Sequence, residues 1–300
     1  MHPVTVRVPA KVNVYLGVGQ KQFDGFHHLA TVFQSVSIYD EITVEHADAF
    51  SIKPEGSFAN QIPTDESNLV WKAVSLVAAA CGQDPHVTVT INKSIPIAAG
   101  MAGGSADAAA TLIACDALWQ ANLSRGQLDA MASSLGSDVP FMLHGGCALG
   151  TGRGDVLAPI MTRGTYHWVF ATFNEGLSTP AVYERFDNMT SHSDEYVPEV
   201  PNEVLVALSQ SDSVTLGDAL HNDLQVAALT LRPRLANTLE FGMDHGAIGA
   251  LVSGSGPTCA FLVQDEKSAI DLRIALSSSG LADGALHAHG PVHGARIVLH

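Results

Sequence analysis

The chain has 300 residues, 46% of them hydrophobic and 15% charged, the composition of a folded globular protein with room for two domains. Thirty acidic residues against fifteen basic ones leave a formal charge of −15, a balance that argues against nucleic acid or an anionic membrane surface as partner. Cys81, Cys115, Cys147 and Cys259 are scattered without a Cys-x-x-Cys pair and read as reduced thiols; with no signal pattern at the start and no run of ~18 uncharged apolar residues, the expected location is the cytoplasm.

Alternation of apolar and polar residues predicts strands at Val4–Val8, Val12–Val18, Thr31–Tyr39, Ile42–Glu45 and Val87–Ile91. Helical periodicity over Glu66–Cys81 stops at Gly82, an alanine-rich helix is expected over Ser105–Ala121, and Ser124 reads as the N-cap of a helix through Leu135 that ends at Gly136. After Gly150-Thr-Gly-Arg-Gly154 the composition changes, and a strand at His167–Phe173 opens the second half. Helices are expected there at Thr179–Phe186, Leu220–Leu229, Pro233–His245 and Glu266–Ser278, and strands at Ala247–Val252, Thr258–Val263 and Ala295–Leu299. Asp187–Glu203, polar and acidic, reads as an exposed loop. This mixture gives an α+β fold in both halves, with domains over 1–160 and 161–300.

The segment Pro96-Ile97-Ala98-Ala99-Gly100-Met101-Ala102-Gly103-Gly104-Ser105-Ala106 joins a glycine-rich loop to a helix. Glycines let the backbone turn sharply and bring its N–H groups close to a bulky anion, and the helix start adds unpaired N–H groups and a positive dipole end. An ordinary turn before a helix has the same composition. No Gly-Lys-Ser/Thr and no Gly-x-Gly-x-x-Gly is present, so neither a P-loop nor a dinucleotide fingerprint applies. Ser253-Gly-Ser-Gly-Pro257 is a strand connection or a second surface over the same ligand. Lys11 and Asn13 share one strand face, as solvated edge residues or as cleft residues, with Lys11 then free to hold an oxyanion. Asp138, before Val-Pro, is either a helix N-cap or a rigidly held base. Phe26 and His27, beside a strand, suit the reading of a planar base. The fourteen histidines contain no His-Glu-x-x-His, and His287, His289 and His293 lack nearby carboxylate or cysteine partners for zinc.

Taken together, Pro9-Ala-Lys-Val-Asn13, Asp24-Gly-Phe-His27, Pro96–Ala106, Gly136-Ser-Asp-Val-Pro-Phe141 and Ser253–Pro257 resemble the GHMP kinase superfamily, in family order over most of the chain. The resemblance implies a two-domain fold, an N-terminal ribosomal-protein-S5-like domain that binds ATP and a C-terminal ferredoxin-like domain on the substrate side, with the active site in the cleft between them. It implies transfer of the ATP γ-phosphate to a small-molecule alcohol. Pro-Ala-Lys-x-Asn with Asp-Gly-aromatic-His points to the 2-hydroxyl of a cytidine-diphosphate-linked methylerythritol, an isoprenoid precursor of the non-mevalonate route. Homoserine, mevalonate and sugar kinases of the same superfamily are the rival readings, as is a catalytically silent nucleotide-binding regulator. By the same resemblance Lys11 and Asp138 are the catalytic pair and Pro96–Ala106 holds ATP. Asn13, Phe26, His27, Thr179 and Tyr183 contact substrate, Phe26 and Tyr183 sandwiching cytosine, and Ser105 is a ligand for Mg²⁺. The chain departs from the family pattern at Phe26, commonly tyrosine, and at Ala98 and Ala99, where the family is richer in glycine and where alanine disfavours positive φ.

Overall fold

The alternation that starts at Val4 does not stop at Pro9. It continues as one strand, β1 (Val4–Lys21), paired antiparallel along its length with β2 (His27–His46). Each was expected as two pieces. The pairing register shifts between Pro9 and Ala10, and at such a bulge the missing proline N–H leaves no ladder bond broken. In β2 the apparent break, Asp40-Glu41, is carried through because Asp40 is buried against a cation and two backbone N–H groups. The structure, a computed structural model, describes residues 2–190 and 196–298.

β3 (Ser51–Gly56) and β4 (Val87–Lys93) flank α1 (Leu69–Cys81), which Asn68 caps through its side chain and Gly82 ends in a left-handed conformation. The helix after the glycine loop, α2 (Gly103–Trp119), starts two residues earlier than expected. It is buried on nearly every side, and its small side chains let it lie between β1 and β2 on one side and α1 and α4 (Val139–His144) on the other. α3 (Arg125–Leu135) carries the Ser124 cap as a full capping box with Gln127. α4 (Val139–His144) follows at once, and β5 (Cys147–Thr151) and β6 (Val156–Pro159) form a hairpin on β2.

The second half opens with β7 (Tyr166–Thr172) and α5 (Thr179–Met189). The loop expected over 187–203 is in part helical: α5 runs to Met189 and α6 (Asn202–Gln210) begins before its end, with residues 191–195 outside the described ones. Val204, Ala207 and Leu208 bury one face of α6 at helical spacing. After α7 (Ser213–Asp218), the helix expected from Leu220 is replaced first by a short strand, β8 (His221–Asn222), and only then by α8 (Gln225–Leu231). Here the Asn222 side chain donates to the carbonyls of Val252 (2.6 Å) and Gly254 (2.7 Å), tying the chain to that turn, while the backbone of His221 and Asn222 pairs with β1. α9 (Arg234–Asp244), β9 (Gly249–Val252), β10 (Cys259–Val263) and α10 (Glu266–Ser279) follow the expected pattern. β11 (Gly284–Gly290) has poor strand composition and forms because β7 pairs with it. The last strand, β12 (Arg296–Ile297), is shorter than the one expected, whose final residue, Leu299, lies outside the described residues.

Among the described residues eight strands make one sheet, in the order β12-β1-β2-β4-β3 with β5, β6 and β8 branching from it, and four make a second, antiparallel β11-β7-β10-β9. Separate cores for the two halves would be the simple expectation. Instead the larger cluster joins Val6, Val12 and Ile42 to Trp168, Phe170, Val204 and Leu262, and the smaller takes Leu16 and Val18 from β1. β1 is long enough to serve both. No helix among the described residues is long and apolar enough to cross a membrane.

Candidate active site

The glycine loop is fixed at both ends by one buried cation. Lys93, at the end of β4, donates to Asp40 (2.6 Å), to Asp107 of α2 (2.6 Å) and to the carbonyl of Gly103 (2.8 Å). Asp40 in turn accepts from the backbone N–H groups of Ser94 (2.7 Å) and Ile95 (2.8 Å), so strand, loop entry and helix start share one ionic knot. Burial alone would discharge Lys93, but Asp107 and Asp40 outweigh it and hold its pKa above the ordinary lysine range. Burial raises the Asp107 carboxyl well above its usual range, Lys93 opposing and Asp40 adding to the effect, and its Oδ1 has no partner. Sequence reasoning missed this knot although its signal was present. Lys93 follows Val87, Val89 and Ile91 on the apolar parity of β4, and a lysine on a core face needs carboxylate partners.

Within the loop, Ala98 (φ 51°), Gly100 (φ 74°) and Ala102 (φ 59°) all take left-handed conformations, so alanine adopts here the backbone it was expected to avoid. A Cβ on Gly100 would come within 1.9 Å of the Ser253 carbonyl oxygen, so only glycine fits there. Ser253 Oγ donates to the Gly100 carbonyl (3.1 Å), and Ser255 and Thr179 hydroxyls meet at 2.8 Å. The second glycine cluster thus lies directly over the first loop.

These elements line a cleft of about 540 Å³. Lys11, Asn13, Ala98, Ala99, Gly100, Ala102, Gly103, Gly104, Ser105, Asp138, Thr179 and Tyr183 reach it, and so do Gly254 and Ser255. Pro96, Ile97, Met101 and Ala106 do not; Met101 and Ala106 are fully buried and support the loop from beneath. Lys11, buried, donates to Asn13 Oδ1 (2.6 Å), and Asn13 donates to Thr31 (2.8 Å). Burial lowers the Lys11 pKa from the ordinary lysine range, and the Asp138 charge offsets part of that. Asp138 sits at the N-cap position of α4, yet its side chain makes no capping hydrogen bond and its backbone is helical. The carboxylate faces the cleft instead.

A second cleft of about 460 Å³ adjoins the first, sharing Ser105, Asp138, Arg153, Thr179 and Tyr183 and adding Phe26, His27 and Asp187. His27, buried, meets Asp187 at 2.7 Å through Nε2 and lies 4.8 Å from the Tyr183 ring. Burial raises the Tyr183 hydroxyl above the usual tyrosine range, and the charges of Asp138 and Asp187 add to it. The residue packed on Phe26 is Arg153, 4.7 Å above its ring. Asp187 and Arg153 were not singled out from the sequence. Asp187 stands four residues after Tyr183 on α5, which places both on one helix face. No group of three or more His, Cys, Asp or Glu side chains suited to a metal occurs among the described residues.

Two family models match the chain: GHMP kinases N terminal domain over residues 68–146 and GHMP kinases C terminal over 204–281. The chain belongs to the GHMP kinase family and has its two-domain α+β fold. It is 51% identical over 298 residues to the 4-diphosphocytidyl-2-C-methyl-D-erythritol kinase of Mycolicibacterium gilvum, covering 98% of this chain and 92% of that one. A crystal structure of 4-(cytidine 5'-diphospho)-2C-methyl-D-erythritol kinase superposes with a TM-score of 0.77 at 31% identity, covering 95% of this chain and 98% of the other. The homoserine kinase of Cytophaga hutchinsonii superposes with a TM-score of 0.71 at 17% identity over 99% and 98% of the two chains, a likeness of fold alone.

Proposed function

We propose that the chain is an ATP-dependent kinase that phosphorylates the 2-hydroxyl of 4-(cytidine 5'-diphospho)-2-C-methyl-D-erythritol, in the cytoplasm, as a step of non-mevalonate isoprenoid precursor synthesis. The observation that carries the reading is the meeting of Lys11 and Asp138 in the cleft lined by the glycine loop. The identity to curated kinases of that name supports the choice of acceptor over homoserine, mevalonate or a sugar. A silent nucleotide-binding regulator would need neither Lys11 nor Asp138.

Phosphoryl transfer depends on positioning and charge neutralisation more than on covalent participation by the protein. The N–H groups at the start of α2 and around Gly100 receive the triphosphate. The acceptor hydroxyl attacks the γ-phosphorus, its bond to the β,γ-bridging oxygen breaks, ADP leaves, and the hydroxyl proton passes to Asp138. Lys11 offsets charge on the transferred group, while Asn13 fixes the Lys11 ammonium. The Ser105 hydroxyl is the cleft oxygen that would hold Mg²⁺, a metal usually held by few protein oxygens and by substrate phosphates, where it would supply neutralisation of phosphate charge. Phe26, His27, Tyr183 and Thr179 take the cytidine end. Asp187 fixes the His27 ring through Nε2, so Nδ1 is left for the base.

An ADP-release assay decides among acceptors. The cytidine-linked methylerythritol diphosphate should turn over with ATP, its uridine analogue should show lower kcat/KM, and homoserine and mevalonate should give only background. Turnover of either of the last two at a higher kcat/KM would reject the acceptor assignment.

A further inference from the structure

Arg153 lies between the two clefts and lines both of them. It stands at the tip of the β5–β6 hairpin, between Gly152 (φ 67°) and Gly154 (φ 90°). The hairpin backbone is anchored: Leu29 donates to the Gly152 carbonyl (2.8 Å) and Gly154 to Thr151 (2.9 Å). The guanidinium is not. Its ionic neighbour, Asp155 Oδ2, is 3.7 Å away, beyond hydrogen-bond reach, and the side chain is 45% exposed. What orients it is the Phe26 ring, 4.7 Å from the guanidinium carbon.

The charges around it call for such a cation. The second cleft carries Asp138, Glu184 and Asp187 against two cations, Arg153 and the exposed Lys21 at the end of β1, in a chain whose net charge is −15. A diphosphate entering there meets more carboxylates than cations, and of the two cations only Arg153 also lines the first cleft. Lys11 is already committed to Asn13 at the transfer end, and His27 to Asp187. A guanidinium presents a planar fork of N–H donors that matches two phosphate oxygens, and one held flat on a ring loses less freedom on binding.

We propose that Arg153 is a specificity residue that binds the diphosphate of the nucleotide-linked acceptor. One face of Phe26 carries the guanidinium, and the other is left for the base. The inference rests on the kinase reading above for its acceptor, but its test does not depend on turnover.

Calorimetric titration of the whole chain with CDP and with cytidine reads the diphosphate contact directly. The wild type should bind CDP more tightly than cytidine, and R153A should weaken CDP by ~10-fold, the scale of a lost charge-assisted contact, while cytidine changes less than ~2-fold. R153K, which keeps the charge but not the fork, should fall between. In steady state, R153A should raise KM for the cytidine-linked acceptor with KM for ATP unmoved. Equal loss of CDP and cytidine, a wild type that does not distinguish them, or a KM change confined to ATP would each overturn the assignment. A wild type that prefers CDP through Arg153 but transfers no phosphate would instead overturn the kinase reading and leave this one standing.

Discussion

Lys11 and Asp138 act by what their surroundings deny them. Lys11 is stripped of water and given one neutral oxygen, Asn13 Oδ1. Asp138 occupies a capping position without making the capping bond, which leaves its carboxylate for the cleft. Asp138→Asn and Lys11→Ala should therefore each lower kcat by at least ~100-fold, the range of a lost acid–base or electrostatic group, with circular dichroism showing the fold retained. A second consequence concerns pH. Because the folded pKa of Lys11 lies below its unfolded value, the ammonium is lost on the alkaline side before an ordinary lysine would titrate, and kcat should fall there. Stability moves oppositely: between the two pKa values the unfolded chain binds the extra proton, so this group's contribution to stability rises with pH. A kcat profile and melting temperatures measured over the same alkaline range should thus diverge, and a limb that merely tracks unfolding would contradict the assignment. The shared face of Lys11 and Asn13 was legible from strand parity. The choice between cap and cleft at Asp138 was not, because spacing fixes where a residue sits on a helix end and not whether its side chain turns back.

The glycine loop shows a local conformation imposed by its surroundings. Ala98 and Ala102 hold left-handed backbone that costs about 1–2 kcal/mol each for a residue with a Cβ, and the ionic knot of Lys93 holds both ends of the loop against that strain. Lys93→Met would leave Asp40 and Asp107 buried without their cation. Loss of about 3–5 kcal/mol is expected, read by urea unfolding, together with a raised KM for ATP as the Gly103 carbonyl is released. A variant with unaltered stability would mean that the carboxylates have simply taken up protons. The loop's existence was plain from its glycines, whereas its strain was not: alanine's preference predicts relaxed φ, and only contacts from β4 and from Ser253 override it. The same competition explains why β2 runs through Asp40, a residue of low strand propensity that here has three partners.

On the scale of the molecule, the two halves are interlocked. β8 and β12, both from the second half, pair with β1 of the first sheet, and Val298 N–H donates to the Thr5 carbonyl (2.8 Å). Buried Trp168 donates to Gln34 (2.7 Å), and Ser35 Oγ donates to the Val292 carbonyl. Composition and periodicity could not reveal this, because pairing of a two-residue strand leaves no period to read. A fragment of residues 1–160 would keep the phosphate loop, Lys11 and Asp138, yet expose the edge of β1 that β8 and β12 cover and the core surfaces that Trp168, Phe170 and Leu262 cover. Such a fragment should lack a cooperative unfolding transition, while the whole chain should unfold in one step as seen by both tryptophan fluorescence and far-ultraviolet circular dichroism. Two separated transitions in the whole chain, or a fragment with a cooperative melt and dispersed amide resonances, would show that the halves fold apart. The site sits on this interlock, since Ser253 reaches the loop only when the second half is docked. Loss of the shared core should therefore remove ATP binding at the same denaturant concentration as it removes structure.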